Sequence, residues 1–194
     1  MKLARRTFLT LAAGAGVAVA SGEGLASAIA PAAASLRSPA PPVNEVRRAF
    51  VHNLHTGETL NAVYWESGLY VPGALAEAMR VMRDWRNGQE HVMDPRLFDL
   101  LHEVQSRLEV NRPVQLISGY RSAATNHMLH AESGEVAAHS QHLIGKASDI
   151  RIEGVELANL HRAALSLKGG GVGFYPQSDF VHVDVGPVRQ WAGT

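Results

Sequence analysis

The stretch Ser140-Gln141-His142-Leu143-Ile144-Gly145-Lys146-Ala147-Ser148-Asp149 does not read as a core segment. Six residues separate His142 from Asp149, among them the small Gly145, Ala147 and Ser148. That spacing exceeds one helical turn and suits no single continuous strand, so a turn must bring the two side chains together. Downstream, Phe180-Val181-His182-Val183-Asp184-Val185 alternates polar and apolar residues as a strand does and carries a second histidine. Two imidazoles and a carboxylate arriving from separate elements, in a chain without cysteine, are the ligand set of a catalytic zinc that keeps its fourth position for water. The residues read as a zinc hydrolase.

Further groups could serve that chemistry. Residues two apart in a strand share a face, so Asp184 stands beside His182, as a general base for the zinc water or as an orienter of an imidazole. Asp179, three residues before His182, points elsewhere unless the strand begins with a bend. The apolar run Pro113 to Ile117 ends in Ser118-Gly119-Tyr120-Arg121-Ser122, a rigid strand running into a glycine turn. Arg121 is placed there to hold a substrate carboxylate or steady an oxyanion, or else to pair with the next helix. Of the other histidines, His139 is expected to line the cleft, His52, His55, His127 and His130 to lie at the surface, His102 to pack, and His161 to be solvated.

The elements that must position these groups can be read in order. Arg47 to Leu54 and Thr59 to Trp65 form a hairpin around His55-Thr56-Gly57-Glu58. Helical spacing runs from Pro72 to Trp85 and closes at Asn87-Gly88. Asp94-Pro95 caps and starts a helix striped by Leu97, Leu100, Leu101, Val104 and Leu108. A strand at 113–117, a helix at 123–131, a strand at 149–152, a helix at 155–168 ended by Gly169-Gly170-Gly171, and a strand at 172–175 precede the strand of His182. There are no internal repeats and no second domain.

With 46% hydrophobic and 19% charged residues in 194, the chain is globular in composition. Its formal charge of zero gives no support to a nucleic-acid partner. Residues 1–28 read as an export signal, with Lys2, Arg5 and Arg6 followed by the Ala/Gly-rich apolar run Leu11 to Ala20 and a small-residue cleavage site at Ala26-Ser27-Ala28. Arg5-Arg6-x-Phe8-Leu9 resembles the twin-arginine type, which carries folded proteins to the periplasm. Removal takes away three of 18 basic and one of 18 acidic residues, leaving 15 and 17 and a charge of −2. The apolar run is too short for an ordinary membrane span. Residues 29–43, rich in Ala, Pro and Ser, read as a flexible lead-in to a domain at 44–194.

Ser140-x-His142-x-x-Gly145-x-Ala147-x-Asp149 resembles the first metal motif of the D-Ala-D-Ala carboxypeptidase/dipeptidase group of zinc metallopeptidases, whose fold the hedgehog signalling domain shares. Asn53 to Glu58, Pro113 to Ser122, Gly170-Gly171-Val172-Gly173 and Phe180-Val181-His182 resemble, in the same order, the exported murein endopeptidases of that group. The resemblance implies one zinc ion held by His142, Asp149 and His182, with Arg121 on the substrate side. It implies cleavage of peptide cross-links in peptidoglycan during cell-wall growth or remodelling. Carboxypeptidase or dipeptidase trimming, or a wall-binding module that keeps its zinc without catalysis, are the alternatives. The fold implied is α+β, a small antiparallel sheet with flanking helices, and a monomer is expected. The group's dipeptidases carry a glutamate where this chain has Asp179, so the general base stays open between Asp184 and Asp179.

Overall fold

A computed structural model of the chain describes residues 45–133 and 136–193. The export signal and lead-in expected over 1–43 lie outside the described residues. The hairpin forms as its sequence requires: strand β1 (Val46–Asn53) pairs antiparallel with β2 (Thr59–Glu66). Asn53 closes it, its Oδ1 accepting from the backbone N–H of His55 and Thr56 while its Nδ2 donates to Val81 O at 2.8 Å. The two-residue β3 (Leu69–Tyr70) adds an outer edge.

Helix α1 (Pro72–Val81) stops short of Trp85. Its apolar spacing continues, but Asp84 breaks the ladder: Asp84 N–H donates to Gln89 O and Gly88 N–H to Asp84 O, closing a loop. Helix α2 (Pro95–Arg107) begins as read, with the Asp94 side chain accepting from Arg96 N–H and proline in the first turn. Then come β4 (Val114–Ser118), α3 (Ala123–Ser133), a 3₁₀ turn (Gln141–Ile144), β5 (Ala147–Ile152), α4 (Leu157–Leu167), β6 (Gly171–Tyr175), β7 (Phe180–Asp184) and β8 (Arg189–Ala192).

The expected small antiparallel sheet is corrected to one eight-stranded mixed sheet in the order β3-β2-β1-β4-β5-β7-β6-β8. The α+β class stands, with four helices and that one sheet among the described residues. Two pairs are parallel, β1 with β4 and β6 with β8. In each case an antiparallel partner takes the other side of the earlier strand: β2 folds back on β1, and β7 on β6. The returning chain must then add at the remaining edge, in the parallel sense.

Strand alternation sorts the sheet into two faces. Val51, Leu116, Ile150, Val181 and Val183 join Leu97, Phe98, Leu101 and Val104 of α2 and Leu160 and Ala164 of α4 in one apolar core. Asp149, His182 and Asp184 necessarily fall on the opposite face. No described helix is long and apolar enough to cross a membrane.

The 3₁₀ turn that carries His142 ends at Gly145 in the left-handed region, φ 66°. A Cβ there would collide with the carbonyl oxygen of Val92. Gly145→Ala is expected to lower stability by at least about 1–3 kcal/mol, read as a lower midpoint in urea with little change in slope.

Candidate metal centre

Three elements bring the predicted ligands together. The 3₁₀ turn presents His142, β5 presents Asp149, and β7, paired with β5 so that Asp149 lies opposite His182, presents the second imidazole. His142 Nε2 lies 3.2 Å from Asp149 Oδ1 and 3.1 Å from His182 Nδ1, and His182 Nδ1 lies 2.9 Å from Asp149 Oδ1. All three residues are buried, and they form the one His/Asp/Glu group of metal-binding geometry among the described residues. Tetrahedral zinc with bonds near 2.0 Å sets its ligand atoms about 3.3 Å apart, close to this triangle.

The other atoms of the ligands support the same assignment. His142 Nδ1 donates to Gly119 O at 2.6 Å, which leaves its Nε2 lone pair directed at the triangle. His182 Nε2 donates to Asp184 Oδ2 at 3.0 Å; burial would lower the pKa of this imidazole, but Asp149 and Asp184 outweigh it and raise it, so a metal at Nδ1 must displace a proton. Burial holds the His142 imidazole below its ordinary pKa despite the Asp149 charge, favouring the neutral form a metal requires. For Asp149, burial alone would raise the carboxyl, but His142 and His182 outweigh it and hold it well below the usual carboxylate range. The donor set and its spacing fit a zinc ion.

Asp184 does not face this triangle. Its side chain is fully buried; Oδ1 accepts from the N–H of Gly171 (3.1 Å) and Gly186 (2.8 Å), and Arg189 grips both oxygens, Nη1 to Oδ1 at 3.1 Å and Nη2 to Oδ2 at 2.7 Å. Burial opposes its charge, and His182 and Arg189 overcome that and hold its pKa low. Asp179 does sit at a bend, with φ 53°, and its exposed carboxylate pairs with Arg151 at 2.7 Å.

The triad lies in a cleft of about 460 Å³ lined by Arg121, His139, Gln141, Tyr175, Phe180 and Trp191 among others. Arg121 is 9% exposed. Its Nη2 lies 3.4 Å from Asp149 Oδ2 and 3.5 Å from Ser118 Oγ, and its Nε has no partner. It therefore serves Asp149 rather than the next helix, with donor capacity left for a ligand. His139 lines the cleft as expected, while exposed His127 and His130 stand outside the triad. His52 hydrogen-bonds Thr59 on the hairpin, His55 stacks on Trp85 at 4.0 Å, and His102 packs edge-on to Tyr64. His161 is a correction: it is half-buried and stacked on Phe174 at 4.7 Å instead of solvated, because α4 packs against β6 there.

Sequence reasoning missed Asp84, Arg189 and Trp191. Asp84 is 1% exposed and accepts from Ser122 N–H (2.9 Å) and Arg86 N–H (3.1 Å), while Asn87 Nδ2 donates to Ser122 Oγ. Tyr120 N–H donates to Met82 O and Arg121 N–H to His142 O. The 82–89 loop thus clamps the backbone on both sides of Arg121, and the available sequence signal was an aspartate ahead of Asn-Gly. Trp191 packs on the His182 ring, centroids 5.1 Å apart, and donates from Nε1 to the Tyr175 hydroxyl at 2.8 Å.

A buried histidine–aspartate–histidine triangle at the floor of a cleft, carried by a mixed α+β sheet, has the geometry of a metal-binding site. The match to known proteins narrows this. Residues 42–191 match the M15 peptidase family model described as peptidoglycan L,D-endopeptidase MepK. The peptidoglycan L,D-endopeptidase MepK of Escherichia coli strain K12 is 46% identical over 158 residues, 81% of this chain and 84% of that protein. The probable peptidoglycan L,D-endopeptidase MepK of Haemophilus influenzae is 42% identical over 161 residues, 82% and 84% of the two chains. The chain belongs to this MepK-type family of peptidoglycan peptidases within the M15 group.

The Asp84 clamp yields a stability prediction. Burial would raise its pKa, and the hydrogen bonds from Thr125 and Ser122 more than compensate and lower it. A lowered folded-state pKa means that its contribution is complete above the unfolded value near 3.9 and is lost as pH falls below it. Asp84→Ala is expected to cost about 1–3 kcal/mol at neutral pH, with the gap to wild type narrowing below about pH 4 in denaturant titrations.

Proposed function

We propose that the protein is a zinc-dependent murein endopeptidase of the bacterial periplasm, which hydrolyses L,D peptide cross-links of peptidoglycan as the wall grows or is remodelled. The observation that carries the reading is the buried triad of His142 Nε2, Asp149 Oδ1 and His182 Nδ1 opening on a cleft beside Arg121. The substrate rests on the names of the family and its relatives. The compartment rests on the Arg5-Arg6-x-Phe8-Leu9 signal.

When bound, zinc would supply a Lewis acid for the scissile carbonyl and a water acidified to a pKa of about 7. The chain's own residues do the rest. Arg121 offers its unpartnered Nε to a substrate carboxylate or to the oxygen that gains charge. Asp184 is read as the orienter of His182, because both its oxygens are engaged by Arg189, backbone N–H groups and His182, which favours Asp179 over it as the base. Asp179, in the turn between cleft-lining Ser178 and Phe180, is the carboxylate assigned to take the proton of the attacking water and pass it to the leaving amine.

Two outcomes test this. Cross-linked peptidoglycan digested with the mature protein should lose its dimeric muropeptides, and a chelator or His142→Ala should stop the loss. Shortened monomers with intact dimers would instead mark an end-trimming carboxypeptidase, and unchanged muropeptides beside bound zinc would mark a binding module. Asp179→Ala should then lower turnover by about 10²–10⁴-fold with zinc content unchanged, whereas Asp184→Ala should weaken zinc binding about 10–100-fold. The reverse pattern would return the base role to Asp184.

A further inference from the structure

The C-terminal strand β8 makes no contact with the ligand triangle's donor atoms, yet two of its side chains reach the groups that hold His182. Arg189 and Trp191 are two apart and so share a face, and parallel pairing sets them opposite Gly171 and Gly173 of β6. Both glycines are needed for that approach. A Cβ on Gly171 would meet the Arg189 guanidinium and, at 2.5 Å, Asp184 Oδ2; one on Gly173 would meet the Trp191 indole at 2.6 Å. Gly173 in turn pairs across β7 with His182 itself.

Through the first gap, Arg189 forms its two-pronged contact with Asp184, Nη2 to Oδ2 at 2.7 Å and Nη1 to Oδ1 at 3.1 Å. Such a fork fixes the plane of a carboxylate, where a backbone donor alone leaves it free to rotate. The plane matters because Oδ2 also accepts from His182 Nε2. Through the second gap, Trp191 packs against the His182 ring and is itself anchored by its bond to the Tyr175 hydroxyl. Arg189 also lies over the Trp191 ring, 5.0 Å from its centroid, so the two supports brace one another.

We propose that β8 is a built-in positioning strap for the third metal ligand. Arg189, acting through Asp184, fixes the carboxylate oxygen that meets His182 Nε2, and Trp191 packs on the ring, so that Nδ1 stays turned to the triad. Arg189 is a positioning residue that acts on His182 through Asp184. The inference rests on the zinc reading above, and its test separates the two.

The test uses Arg189→Gln, which keeps a planar donor but loses the fork and the charge, and Arg189→Lys, which keeps the charge and loses the fork. Zinc affinity is measured by competition with a chromophoric chelator, and the His182 Nε2–H by ¹H–¹⁵N NMR of the zinc-loaded protein. Arg189→Gln should weaken zinc about 10–100-fold and shift or broaden the Nε2–H resonance as its exchange with water speeds up. Arg189→Lys should recover part of both effects. Because Arg189 is partly exposed, the lysine variant stays informative if the glutamine variant is poorly folded. Zinc affinity within twofold of wild type together with an unchanged Nε2–H resonance in the folded variants would overturn the strap. Wild-type protein that fails to bind zinc, or a His142→Ala variant that binds it equally well, would overturn the metal reading instead.

Discussion

Asp149 is a carboxylate buried at the middle of a sheet, and much of the site's architecture follows from keeping it charged there. An isolated buried charge is costly enough that it neutralises or finds partners. Here the partners are two imidazoles and an arginine, drawn from the 3₁₀ turn, β7 and the end of β4. Each has a second obligation that limits its freedom: His142 to Gly119 O, His182 to Asp184, Arg121 to the clamp around Ser122. The same arrangement that compensates one negative charge sets three donor atoms at the spacing of a tetrahedral metal.

The division of the sheet makes this possible. One face is sealed by α2 and α4 over Val, Ile and Leu, so β5 and β7 are rigid before any polar residue is considered. On the other face the site is lined by loops and by side chains of the edge strand β8, and the backbone N–H groups of Gly171 and Gly186 supply donors to Asp184. Close approach then becomes the governing constraint. Gly171 and Gly173 stand where a Cβ would strike Arg189, Asp184 or Trp191, and Gly145 where one would strike the Val92 carbonyl beside the turn that carries His142. Their small size gives the site room, and the left-handed φ of Gly145 ends the turn that carries His142.

The legible part of this architecture was the part encoded locally. Period-two alternation set Val181 and Val183 inward and His182 and Asp184 together on the far face, and the Asp94 cap, the Asn53 hairpin and the apolar stripe of α2 appear where their residues require. The His142–Asp149 spacing announced a turn because no regular element could join the pair. What escaped is non-local. Strand pairing order has no signature within a strand, so the two parallel pairs could not be read. Strand β8 is an edge strand with three of its four residues exposed, and Arg-Gln-Trp-Ala shows no apolar alternation. Asp84 looked like part of a helix because its apolar neighbours keep helical spacing; its role is set by Ser122, 38 residues away. Sequence parity put Asp184 beside His182, but only the fold shows that Arg189 and two backbone N–H groups saturate it.

The triad is proposed to hold a metal through His142 Nε2, Asp149 Oδ1 and His182 Nδ1 and to leave one position open. The most direct measurement is zinc-edge X-ray absorption on protein loaded with one equivalent of zinc, repeated with Asp149→Ala. Two nitrogen and two oxygen neighbours at about 2.0–2.2 Å, one oxygen being displaceable by a small anion, are predicted for the wild type, with the first shell altered in the variant. A shell unaffected by Asp149→Ala, or one of water oxygens alone, would contradict it.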